Sequence, residues 1–168
     1  MELWDVLDRD RKPLNRKHVR GTPMKKGEYH LAAFIWIFDR EGRVLLTKRS
    51  PEKRAFPNLW AITGGAVQAG ETSLHAALRE LREETGIRAE AEELELADSY
   101  RRKSCFCDVY FLRKTVPLEK LVMQKGETCD ARWVSRREFE ALMEKKLIAP
   151  PDVRRYGQLG EKLKDLLK

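Results

Sequence analysis

From His30 to Phe38 the chain runs His-Leu-Ala-Ala-Phe-Ile-Trp-Ile-Phe, an apolar, β-branched and aromatic stretch that predicts a buried strand. Asp39 to Gly42 is turn chemistry, and Arg43 to Arg49 returns as a second apolar run, so a central hairpin is expected. A further strand pair is predicted over Leu94–Arg101 and Cys105–Leu112, with a short strand ending at Trp133-Val134. Between the pairs the period changes. After Thr72 or Ser73, either of them a helix cap, Leu74, Ala77, Leu78 and Leu81 repeat at helical spacing, and Gly86 suits a left-handed stop. A third helix carries Phe139, Leu142, Met143 and Leu147. A fourth is expected over residues 152–167, with Val153, Tyr156, Leu159, Leu163, Leu166 and Leu167 inward.

Residues 1–29 are mostly polar and broken by Pro13, Gly21, Pro23 and Gly27, which predicts a short hairpin or arm. Neither an internal repeat nor a linker interrupts the mixture of strands and helices. The reading is one domain over residues 1–168, an α/β fold built as an α/β/α sandwich on a mixed sheet.

Composition narrows the partners only a little. The 34 Lys and Arg against 27 Asp and Glu leave a net charge of +7, which favours polyanions such as nucleotides and diphosphates. The N-terminus lacks a signal-peptide pattern and no apolar run is long enough to span a bilayer, so a cytoplasmic protein without membrane partners is expected. Three cysteines, Cys105, Cys107 and Cys129, carry no metal-ligand spacing and read as reduced thiols, the first two on one side of a strand.

The chemistry concentrates on the helix after Thr72. Glu80, Glu83 and Glu84 stand at i, i+3 and i+4, within an arc of about 100° and apart from the leucine stripe. Three adjacent carboxylates either make a solvated acidic face or hold a hard divalent cation, for which oxygen ligands are the rule.

The surrounding residues favour the second reading. Gly65, five residues, Glu71, seven residues, Arg79-Glu80, Leu81, one residue, Glu83-Glu84, one residue, Gly86 and Ile87 resemble the Nudix box at every defining position. The resemblance implies a loop–helix–loop over residues 64–87, with Gly64 and Gly65 leading from a strand into it. It also implies Mg²⁺, or Mn²⁺ in its place, held by Glu80, Glu83 and Glu84 for attack of water on a phosphoanhydride. Arg79 would orient a carboxylate rather than react. Glu71 is either a supporting residue or simply an anion favoured near a helix N-terminus.

A looser resemblance over residues 2–147 points to the branch containing isopentenyl-diphosphate isomerase and related hydrolases. It is carried by Glu2 to Asp8, Gly27-Glu28-Tyr29-His30 and Leu45 to Ser50. The isomerase uses a cysteine just after the strand preceding the box. Here Pro57 to Gly65 contains none and the acidic box is complete, so hydrolysis is the expected activity. A catalytically silent diphosphate-binding protein would be expected to erode that box. Nucleic-acid binding is not expected, because no aromatic and basic interleaving accompanies the charge.

The substrate should be a small-molecule diphosphate, a nucleoside diphosphate or a derivative of one. Arg49, Arg54 and Phe56 are candidates to meet a phosphate or a base, or else ordinary surface and core. Glu127 and Asp130, six and three residues before Trp133, resemble the family's extra acidic position on a late loop. Either Glu127 takes the proton of the attacking water or the base is Glu83 or Glu84, with Glu127 and Asp130 serving only as polar turn and strand-edge residues.

Overall fold

The computed structural model describes all 168 residues. β1 (Leu3–Leu7) and β2 (Pro13–Val19) form the expected antiparallel hairpin. Several contacts fasten it to the body, among them Ala69 N–H to the Leu3 carbonyl at 2.8 Å and Gly70 N–H to Asp5 at 2.7 Å. Leu7 and Tyr29 exchange both backbone hydrogen bonds, at 2.8 and 2.9 Å, and the Arg11 guanidinium forks onto buried Asp108. An ionised fork in a half-dry setting is a directional clamp. It carries Glu2, Trp4 and Arg20 to the edge of the functional site.

In the main sheet, β3 (His30–Phe38) runs parallel to β8 (Cys105–Arg113) over nine positions, and β7 (Leu94–Arg101) lies antiparallel to β8. On the other side β4 (Val44–Arg49) pairs with β5 (Trp60–Ala61) and β9 (Thr128–Val134). The central hairpin differs from expectation. β3 and β4 share only the pair Phe38↔Val44 and then splay, and β6 (Thr63–Ala66) takes the freed edge of β3 from Ala32 to Ile35. A tight turn sets register near itself, whereas partners further along are chosen by burial.

Alternation along β3 sorts the two cores. Ala33, Ile35 and Ile37 pack with Ala77 and Leu81 of α1 (Ser73–Thr85). Trp36 and Phe38 face α2 (Arg136–Glu144), α3 (Pro150–Leu159) and α4 (Glu161–Lys164) through Phe139, Leu159 and Leu163. This is an α/β/α sandwich on a mixed sheet. Leu81 is fully buried, so Leu81→Ala would cost about 2–5 kcal/mol.

Two helical expectations are corrected. Leu147 lies outside α2 and is 39% exposed, because Lys146 takes a left-handed φ of 56° and turns the chain. The single helix over 152–167 is instead α3, starting with Pro150 at its first position, and the short α4. Gly160, at φ 38° and ψ −107°, breaks them apart. Val153 is therefore exposed, while Asp152 and Arg155 are buried. No helix is long and apolar enough to cross a membrane.

Candidate active site

α1 is started and stopped by local chemistry. Thr72 Oγ1 accepts from the His75 N–H at 3.2 Å, and Gly86 at φ 73° donates back to the Arg82 carbonyl. The strand before it approaches its neighbours closely at two glycines, against backbone at Gly64 and against the movable end of a side chain at Gly65. A Cβ on Gly64 would lie 2.4 Å from the Ala33 carbonyl oxygen, and one on Gly65 would lie 2.3 Å from Glu80 Oε1. The missing side chain at Gly65 is the space into which the Glu80 carboxylate fits.

Arg79 is the hub of the acidic cluster. It donates to both Glu71 oxygens, to Glu80 at 2.8 Å, to Glu83 at 3.2 Å and to the Ala66 carbonyl at 3.1 Å. Burial would raise the Glu71 carboxyl pKa, but the Arg79 fork and the Gln68 N–H outweigh it and hold the group below its ordinary value. Glu71 thus reaches the cluster through Arg79.

Glu84 is buried and accepts from the Gly64 N–H at 3.2 Å. Burial, reinforced by the charge of Glu80, pushes its carboxyl up to about 8, against the pull of Gly64, Lys53 and Arg49. Glu80 is raised as well, by burial first, with Arg79 opposing and Glu83 adding. Glu83 is the most exposed of the three, at 42% of its side chain.

These carboxylates open into a cavity of about 430 Å³. Its wall also carries Arg49 and Lys53, Gln124 and Glu127 from the approach to β9, Gln68, and Glu2 and Arg20 from the N-terminal hairpin. Glu127 is ion-paired to Lys53. Asp130 sits exposed on β9 opposite Lys48 and outside the cavity.

Of the other sequence candidates, Arg49 lines the cavity and is braced by the Ala55 carbonyl at 2.9 Å, whereas Arg54 and Phe56 are exposed and outside it. Phe56 and Asn58 both take positive φ, and this kink turns the segment away. Glu2, Arg20, Lys53, Gln68 and Gln124 were not singled out by sequence.

The donor set fits a hard divalent cation. Buried Glu84 is raised by desolvation and then by the charge of Glu80, and half-buried Glu80 by desolvation and then by Glu83; such an ion removes this electrostatic deficit. No three side chains form a ready-made coordination shell, because Arg79 engages Glu80 and Glu83 while Glu84 turns to Gly64. Loading therefore requires these side chains to rotate.

A glycine-bounded loop, a helix carrying three carboxylates and a cationic facing wall suit the hydrolysis of phosphoanhydrides. The chain belongs to the Nudix family: the NUDIX domain pattern matches residues 28–154. It is 39% identical over 143 residues to an uncharacterised Nudix hydrolase of Listeria monocytogenes, covering 84% of this chain and 85% of that one. It is also 31% identical over 150 residues to the isopentenyl-diphosphate Δ-isomerase of Salmonella heidelberg, covering 80% and 72%. In fold it resembles a crystal structure from Deinococcus radiodurans, with TM-score 0.75 at 23% identity, over 99% of this chain and all of that one. The protein is accordingly a Nudix pyrophosphohydrolase, in the branch shared with the isomerases.

Proposed function

We propose that this protein hydrolyses the phosphoanhydride bond of a nucleoside diphosphate or one of its derivatives, in a reaction dependent on Mg²⁺, for which Mn²⁺ can substitute. The observation that carries the reading is the pairing in one cavity of raised carboxyls, Glu80 and Glu84, with the cationic wall of Arg49 and Lys53. Glu80, Glu83 and Glu84 would hold the ion. When bound, it supplies neutralisation of phosphate oxygens and a more acidic water.

The residues divide the remaining work. Arg49 and Lys53 attract and orient the diphosphate oxygens through charge-assisted hydrogen bonds. Arg79, held by Glu71, sets the positions of Glu80 and Glu83. Glu127 accepts the proton of the attacking water, whose oxygen bonds to phosphorus as the bridging P–O bond breaks and the leaving phosphate takes the electron pair.

The test is a panel of nucleoside diphosphates and derivatives with Mg²⁺, Mn²⁺ or excess chelator, identifying both products. Turnover should require the metal, and Glu84→Gln should lower it by a factor on the order of 10² to 10⁴. Undiminished turnover in chelator would refute the metal assignment.

A further inference from the structure

Across Gly65 and Ala66 from the carboxylate cavity lies a second one, of about 420 Å³. Part of its wall is aromatic. Trp4 stacks on His30 with centroids 4.2 Å apart, and Phe34 carries the Arg155 guanidinium over its ring at 3.2 Å. The rest of the charged wall is basic throughout, with Arg20, Arg102, Lys103 and Arg155 and no carboxylate. The neighbouring cavity, by contrast, sets five carboxylates against four cations.

Two of the four basic groups are answered from outside the wall, Arg20 by Glu2 and Arg155 by Asp152. That leaves Arg102 and Lys103, exposed on the turn between β7 and β8, without a carboxylate partner. Arg155 is itself buried, and its Nε has no hydrogen-bond partner. Trp4 is stacked on His18 as well, at 5.9 Å, and Arg155 covers the Phe34 ring, so what this wall still offers is the pair of unanswered cations, which match a ligand that brings its own anion. The scissile diphosphate does not fill that need, because Arg49 and Lys53 already face it on the other side of Gly65.

Building on the hydrolase reading above, we propose that this second cavity receives the nucleoside portion of the substrate. It selects nucleoside diphosphate derivatives that carry a further phosphomonoester on the ribose. The phosphomonoester meets Arg102 and Lys103, which make the choice. A dianion facing two cations accounts for the choice of a phosphate over a neutral sugar hydroxyl.

Matched pairs test this on the full-length protein: ADP against adenosine 3′-phosphate 5′-diphosphate, and NAD⁺ against NADP⁺. kcat/KM should be at least about tenfold higher for the phosphorylated member of a pair, the contrast one hydrogen bond to an ionised group provides. The ratio should collapse towards one in the Arg102→Ala/Lys103→Ala double variant. It should persist in Arg40→Ala/Arg113→Ala, which removes the same charge from a remote basic surface.

Calorimetric titration of adenosine 3′,5′-bisphosphate against AMP reads the same contrast without turnover. If no compound is hydrolysed but the bisphosphate still binds at least about tenfold more tightly, the hydrolase reading fails and the subsite stands. Equal kcat/KM and equal Kd within the pairs would overturn the subsite even in an active enzyme. A preference that the double variant leaves intact would remove Arg102 and Lys103 from it.

Discussion

Arg79 and Glu71 meet in a two-point fork across the turn into α1, with Nε to Oε1 at 2.9 Å and Nη2 to Oε2 at 3.1 Å. The same guanidinium reaches Glu80 and Glu83, so the angle at which these carboxylates enter the cavity is set one step away, at Glu71. A lysine at 79 offers one donor point in place of a planar fork. Arg79→Lys and Glu71→Gln should each lower kcat or apparent metal affinity about 10- to 100-fold, the usual cost of losing a ligand-orienting group. Metal titration of activity, alongside thermal melting, checks this. A loss of melting temperature large enough to account for the lost activity would make the fork structural only.

The bounds of α1 were legible because they are local: a capping Thr72, leucines at helical spacing and a left-handed Gly86 lie within fifteen residues of one another. The unbroken apolar run of β3 likewise announced a strand buried on both faces, with Trp36 and Ile37 both fully buried on opposite sides. Its partner was not legible, since an apolar residue does not encode which strand it will meet. Glu2 and Arg20 reach the cavity through long-range links, among them Leu7–Tyr29, Leu3–Ala69 and Arg11–Asp108, contacts that no short-range pattern carries. Cys105 and Cys107, read from sequence as reduced thiols on one side of a strand, stand with sulfurs 3.7 Å apart on the wall of the adjoining cavity.

Proton transfer at an allylic carbon needs a group that can give up and recover a proton beside the substrate. Pro57 to Gly65, where the isomerase carries its cysteine, holds no thiol and no other titratable side chain. On the adjoining wall the hydrogen bond between the two thiols raises Cys105 and lowers Cys107 to about 7, so incubation with the isomerase substrate tests Cys107 as well. Incubation with isopentenyl diphosphate and Mg²⁺ should yield no dimethylallyl diphosphate. Its appearance at a catalytic rate would reassign the activity.

Glu84 gives the metal-free protein a signed dependence on pH. Its folded pKa, about 8, lies above the ordinary value of 4.5, so the folded state binds the proton more tightly than the unfolded chain does. The stability this contributes is complete below about pH 4.5, declines as pH rises and is gone above about 8. In chelator, wild type should lose melting temperature relative to Glu84→Gln across that window. Mg²⁺ should restore wild type at high pH, because a cation takes over the proton's role. Parallel melting curves for the two proteins would show that Glu84 does not titrate in this range.

Glu127 and Asp130 are three residues apart at the start of β9, yet they face different surroundings. Glu127 lines the cavity with Glu80, Glu83 and Glu84 and is ion-paired to Lys53, whereas Asp130 is exposed opposite Lys48. A carboxylate on the cavity wall is within reach of the water that attacks the substrate, and one outside the cavity is not. Glu127→Gln should therefore lower kcat by a factor on the order of 10² with little change in melting temperature, and Asp130→Asn should leave kcat within about twofold. Small and equal effects at Glu127 and Asp130 would return proton transfer to Glu83 or Glu84 on α1.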